Sequence, residues 1–180
     1  MLVAVKSCEA HWDRVSAIRD TWAGDDPRVH FFTGWELNVP DTYEALPQKT
    51  HAICKWALQR KIAPVFLCDT DTYVCLPRLE PASSYTGYKL PDKEYASGGA
   101  GYWLNMEEMT LVAAGDPAKF TNEDEMVGAL VGSPIHDPRY ALYDDVLPSN
   151  DIITRHLSSR KAFEVGMMYK AHRRFLDCGD

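Results

Sequence analysis

With 180 residues, 46% of them hydrophobic and 25% charged, the chain has the size and composition of a single soluble globular domain with room for a real core. A net charge of −7 gives no chain-wide attraction to nucleic acid, leaving only a local basic groove open. No run reaches the roughly 18 apolar residues that a membrane span needs, and no signal peptide precedes Leu2, so a soluble, cytoplasmic protein is expected. The five cysteines (Cys8, Cys54, Cys68, Cys75 and Cys178) are odd in number and form no C-x-x-C pair. They read as reduced thiols, and their spacings do not suit a zinc site.

Residues 3–5 form a first core strand. In HWDRVSAIRDTW, Trp12, Val15, Ile18 and Trp22 recur at three- and four-residue steps, which predicts a helix with one apolar face. Gly24-Asp25-Asp26-Pro27 breaks it. VHFFTG over 29–34 reads as a second strand ending in a glycine turn. A helix follows over 46–60, with Pro47 in its first turn and Ala52, Ile53, Trp56 and Ala57 on one side. Alternating strand and helix over the first 70 residues is a parallel-sheet layout of the kind that binds nucleotides. Residues 1–75 are expected to be the nucleotide-binding half of one domain, and 76–180 its acceptor-side half and tail. In that second half, 85–90 alternates like an edge strand, and Gly98-Gly99-Ala100-Gly101 opens onto a strand over 102–104. Helices are predicted over 106–114 and from the acidic cluster at 121–125 through Val131.

The third strand carries the most information. Val65, Phe66, Leu67 and Cys68 form a buried apolar run that stops at Asp69-Thr70-Asp71. Ligands of open α/β sheets bind beyond the carboxyl ends of strands. Two carboxylates one residue apart at that point can hold a hard cation and a phosphate-bearing substrate, or can simply cap a turn.

In register, four motifs resemble the inverting β-1,3-type glycosyltransferases, the family of Fringe and the core 1 galactosyltransferases. RVSAIRDTW (14–22) resembles the family's basic N-terminal helix, and DTYEALPQKTHAICKWAL (41–58) its acidic-aromatic segment. CDTDTYV is similar to its metal-binding acidic triplet, with Thr70 in place of the middle aspartate. YASGGAGYWLN followed by EDEMVG is similar to its glycine-rich strand and catalytic acidic turn.

The resemblance implies an α/β fold of the GT-A type, a mixed, mostly parallel sheet flanked by helices. It also implies transfer of a sugar, with inversion, from a nucleotide-sugar (a UDP-sugar) to a hydroxyl of a glycan, small molecule or modified nucleobase. The acidic charge weighs against DNA. Asp71 would ligate Mn²⁺ or Mg²⁺ directly, and Asp69 would sit near the ribose or the hydrated metal. Asp124 would be the base, and Glu123, its neighbour, is either a substitute or, with Glu125, a helix-capping acid. A late histidine is expected as a further metal ligand: His156 in NDIITRHLSS is preferred over His136 and His172. Thr70, Arg14, Arg19, Lys49, Gly98 and Gly99 are candidates for the donor, although each cation can equally be a solvated or salt-bridged helix residue. Gly101 and Trp103 join Glu123 as candidates for the acceptor or sugar pocket, with one of Tyr102 and Trp103 facing the core and the other the cleft.

Two other functions fit part of the pattern. Asp69 and Asp71 also match the nucleophile and general acid of haloacid-dehalogenase-type phosphatases, with Asp144-Asp145 as a later metal pair. A non-catalytic module that binds a nucleotide-sugar would keep the same residues without turnover.

Overall fold

The opening apolar run forms β1 (Leu2–Lys6), followed by a 3₁₀ turn at Glu9–His11, helix α1 (Trp12–Ile18) and a π-helical turn at Arg19–Ala23. Strand β2 (Val29–Phe32), the short helix α2 (Gly34–Leu37), helix α3 (Leu46–Gln59) and β3 (Val65–Asp69) complete the first half. Then come β4 (Thr72–Val74), β5 (Thr86–Gly87), β6 (Tyr102–Leu104), α4 (Met106–Ala114) and α5 (Glu123–Val131). The chain closes with β7 (Ile135–His136), β8 (Tyr140–Ala141), β9 (Thr154–His156) and α6 (Val165–Asp177). This computed structural model describes residues 1–142, 151–158 and 162–177. Asp144, Asp145 and Cys178 lie outside the described residues; Cys8, Cys54, Cys68 and Cys75 are free thiols.

The main sheet has strand order β2-β1-β3-β6-β5-β7. Pairings β1·β2, β1·β3 and β5·β7 are parallel, whereas β3·β6 and β5·β6 are antiparallel. A second sheet, β4-β9-β8, stands beyond the end of β3. The central strands β1, β3 and β6 are buried on both faces, so they read as largely unbroken apolar runs. Alternation along them divides the core in two. Val3, Val5, Phe66, Cys68 and Trp103 pack with residues of α1 and α6, and Leu2, Ala4, Val65, Leu67, Tyr102 and Leu104 with residues of α3, α4 and α5. Among the described residues, no helix is long and apolar enough to cross a membrane.

Several local expectations are corrected. Trp12 is 72% exposed, because Val15, Ala17, Ile18 and Trp22 set the buried face and the first residue of α1 overhangs it. Gly34 starts α2 instead of making a turn, under an N-cap supplied by Thr33. The segment at 85–90 contributes the inner strand β5, because β7 pairs with its outer side. Neither ring of the Tyr102–Trp103 pair faces the cleft: both are fully buried, one in each half of the core.

Gly101 turns the chain into β6 at φ +81°, and a Cβ there would lie 2.3 Å from the Phe66 ring. Overpacking and the left-handed backbone together predict that Gly101→Ala loses about 2–4 kcal/mol, read as a lower urea midpoint at unchanged slope. Gly101 therefore packs against the core at Phe66.

Candidate active site

Three strand ends build the site. The parallel register places Lys6, last in β1, beside Asp69, last in β3, and their even spacing from Ala4 and Leu67 points both side chains to the α3–α5 face. After Asp69 the chain turns through Thr70-Asp71 into β4, where Thr72 pairs with His156 of β9. That pairing is why a histidine 85 positions downstream stands beside Asp71, its Nε2 3.5 Å from Asp71 Oδ2. Ser158 donates a hydrogen bond to Asp71 and shares one of 3.2 Å with His156 Nε2. The His156 ring lies against Gly99, where a Cβ would come within 2.3 Å of it. Gly99→Ala is thus expected to push the imidazole aside and lower stability by about 1–3 kcal/mol, measurable as a Tm drop of roughly 2–12 °C.

Asp124 stands in the first turn of α5, whose N-cap is Asn122 through a bond from Glu125 N–H. The Gly98 N–H donates to Asp124 Oδ1 at 2.9 Å, and any Cβ on Gly98 would strike that carboxylate. The glycines are thus explained by the close approach of His156 and of the acidic turn to the backbone.

These groups share one cleft with two lobes. The first, about 400 Å³, is walled by Ser7, His11, Arg14, Asp41, Tyr43 and Lys49. The second, about 300 Å³, is walled by Ser97, Asn122, Glu123, Asp124, His156 and Ser158. Asp69, Asp71, Tyr43 and Leu46 border both. The first lobe holds Arg14 and Lys49 beside Asp41, and the second holds Glu123 and Asp124, with Asp69 and Asp71 on the boundary.

Electrostatics differ sharply among the four acids. Burial raises the Asp69 carboxyl, with Lys6 opposing. Burial also acts on Asp71, but His156, Ser158 and Arg14 outweigh it and hold this carboxyl below the usual range. Asp124 is pushed well above that range by burial and by the neighbouring Glu123, against the pull of Lys6 and the Gly98 N–H. Burial opposes the charge on Glu123 too, yet Lys6 and Tyr102 keep it ionised.

Of the sequence candidates, Asp69, Thr70, Asp71, Arg14 and Lys49 border the first lobe, and Asp124, Gly99, His156 and Glu123 the second. Thr70, nearly buried, shares a 2.9 Å hydrogen bond with His11 Nδ1. Arg14 stacks its guanidinium 4.7 Å from the Phe163 ring. The Lys49 ammonium is committed to Asp41 and the Ser7 carbonyl, which ties the loop after β1 to the segment before α3.

Arg19, Trp103, His136 and His172 line neither lobe. Arg19 packs over Phe31, because five residues on a helix turn it to a different side from Arg14. Trp103 is sealed in the core, its Nε1 donating to Tyr140 OH at 2.9 Å. His136 accepts from the Lys89 N–H on edge strand β7, and His172 bonds Tyr73 OH on α6. Glu123 is a buried ion-pair partner of Lys6, not a capping acid.

Lys6, His11, Tyr43 and Ser158 were not anticipated as site residues. For Lys6 the signal was present: a lone charge closing the apolar run MLVAVK sits at the carboxyl edge of the sheet, as Asp69 does. Tyr43, in the 3₁₀ turn Tyr43–Ala45, and Ser158, just after β9, have neighbours that only the folded chain reveals.

Among the described residues, no three His, Cys, Asp or Glu side chains converge to enclose a metal ion. Asp71 and His156 do present an oxygen and a nitrogen side by side, and the buried His156 Nδ1 has no hydrogen-bond partner. Two such ligands fit a cation that completes its shell with phosphate and water, as Mg²⁺-type ions commonly do.

No protein-family model matches the sequence, and no curated protein matches it. The chain is similar in structure to a glycosyltransferase involved in the glycosylation of the major capsid of PBCV-1, at a TM-score of 0.55 and 12% sequence identity. The likeness spans 96% of this chain and 100% of that one. The fold is GT-A-like. In this GT-A-like fold the mixed, mostly parallel sheet carries Asp69 at the carboxyl end of a central strand, where both cleft lobes meet.

Proposed function

We propose that the protein is an inverting glycosyltransferase of the Fringe and core 1 galactosyltransferase kind, moving a sugar from a nucleotide-sugar, a UDP-sugar, to an acceptor hydroxyl. One observation carries this: Asp69 and Asp71 at the end of β3 and Asp124 at the start of α5 border a single cleft whose other lobe also holds Arg14. The structural likeness to a glycosyltransferase supports the coarser part of this reading, glycosyl transfer in general.

In this reading the first lobe takes the nucleotide, and Arg14, whose charge acts on Asp71 across that lobe, would meet a phosphate there. Mn²⁺ or Mg²⁺ held by Asp71 and His156 would supply charge neutralisation to the departing diphosphate. Asp69 lies against Lys6 at the edge of the same site. Asp124 faces the lobe where the acceptor enters. Its raised proton affinity suits a base that takes the hydroxyl proton as the oxygen bonds to the anomeric carbon. The bond to the diphosphate breaks on the opposite face, releasing nucleoside diphosphate and inverting the configuration.

Incubating the protein with a panel of nucleotide-sugars, an acceptor mixture and Mn²⁺ tests this. Release of nucleoside diphosphate is expected. Hydrolysis of p-nitrophenyl phosphate with no action on any nucleotide-sugar would favour the phosphatase instead, and tight donor binding without turnover the non-catalytic module.

A further inference from the structure

We propose that Lys6 is a positioning residue for the transfer, one buried cation that fixes the spacing between Asp69 on the donor side and, through Glu123, Asp124 on the acceptor side. The inference rests on the function proposed above and adds to it a group at the floor of the first lobe whose ammonium is turned to the carboxylates and closed off from solvent.

The Lys6 ammonium is closed off from solvent, with its Nζ 3.2 Å from Asp69 Oδ1 and 2.7 Å from Glu123 Oε2. The other Glu123 oxygen accepts from Thr50 Oγ1 at 3.1 Å and from Tyr102 OH. Strands β1, β3 and β6 and helices α3 and α5 are therefore pinned to one point under the cleft. The packing there is tight: a Cβ on Gly98 would lie 3.3 Å from Lys6 Nζ, 2.8 Å from Glu123 Oε2 and 2.5 Å from Asp124 Oδ1.

Stability alone does not call for this arrangement, since a buried ion pair gains little over a well-packed apolar replacement. What the lysine makes possible is the convergence of Asp69, Glu123 and Asp124, which would repel one another without it. Glu123 is adjacent in sequence to Asp124 and shares its helical turn, so holding Glu123 also sets where Asp124 begins. Misplacement by about 1 Å costs a reaction of this kind roughly 10²-fold.

Lys6→Met leaves three carboxylates without a cation and can fail to fold, so Lys6→Arg and Glu123→Gln provide the test. Arginine keeps the charge but forks it over a wider span, and glutamine keeps the shape while removing the charge that anchors Lys6. Both variants are expected to fold, to retain stabilisation by UDP with Mn²⁺, and to lower kcat about 10²-fold at saturating donor with little change in KM. Unchanged kcat alongside a lowered Tm would make Lys6 merely structural and overturn the inference. A crystal structure of Lys6→Arg gives a second readout that needs no turnover. A shift of Asp69 relative to Asp124 by about 1 Å is expected; carboxylates in their parental places would overturn the inference even if the parent proves active. A parent protein that turns over no nucleotide-sugar overturns the proposed function, and the Lys6→Arg structure still decides whether Lys6 sets the carboxylate spacing.

Discussion

Asp124→Asn is expected to slow sugar transfer by about 10²–10⁴-fold, the range that a positioned general base contributes. Stabilisation by Mn²⁺ with UDP should persist, since Asp124 borders only the second lobe. The substitution keeps the oxygen that accepts from the Gly98 N–H, so the loop before β6 retains its anchor. Two pH effects follow from burial and from the Glu123 charge, which raise the Asp124 carboxyl well above its ordinary range. A base must be deprotonated to act, so kcat/KM should climb with pH through this raised value. The folded state also holds the Asp124 proton more tightly than the unfolded chain does. Its stabilising contribution is therefore complete below the ordinary carboxylate range and is lost as pH rises through the raised value. At neutral pH the Asn variant should then be more stable than the parent, with a higher Tm, while being far slower. A variant that transfers at the parental rate would remove Asp124 from the chemistry.

Asp71→Asn has the second large effect. A ligand pair present at about 100 times its Kd stabilises by about 2.7 kcal/mol, or a Tm rise of roughly 5–11 °C for a chain of this size. Mn²⁺ and UDP together should produce that rise in the parent, and neither should do so alone, because the site offers Asp71 and His156 but no third ligand among the described residues. In Asp71→Asn the joint rise should vanish. The Ser158 hydrogen bond can survive an isosteric amide, but the folded state favours the ionised Asp71 through His156, Ser158 and Arg14, so the unliganded Tm should fall at pH values above the ordinary carboxylate range. A joint rise of parental size in the variant would separate Asp71 from any cation.

The first half of the fold was readable because its signals are local. Val3 and Val65 begin runs buried on both faces, and Pro47 and Ile53 mark a helix that its own periodicity specifies. Asp69 and Asp71 were visible as acids where an apolar run stops. Long-range pairing was less readable. Strand β5 is two residues long, and only the pairing of β7 beyond it makes it internal. Alternation placed Tyr102 and Trp103 on opposite faces correctly, but could not show that helices cover both faces of β6. The same limit hid Lys6. A lysine ending a strand looks like a solvated residue until Glu123, 117 positions away, is seen against it. Glycines 98 and 99 were read as candidates for the donor, yet what lies against them is the protein's own Asp124 and His156.

A crystal structure with Mn²⁺ and UDP bound is the most direct examination of the site. The uridine should occupy the lobe of His11, Arg14 and Tyr43, with the cation on Asp71 and His156 and the diphosphate turned toward Asp124. A diphosphate bound on another surface, or a cation seated away from Asp71, would contradict the account.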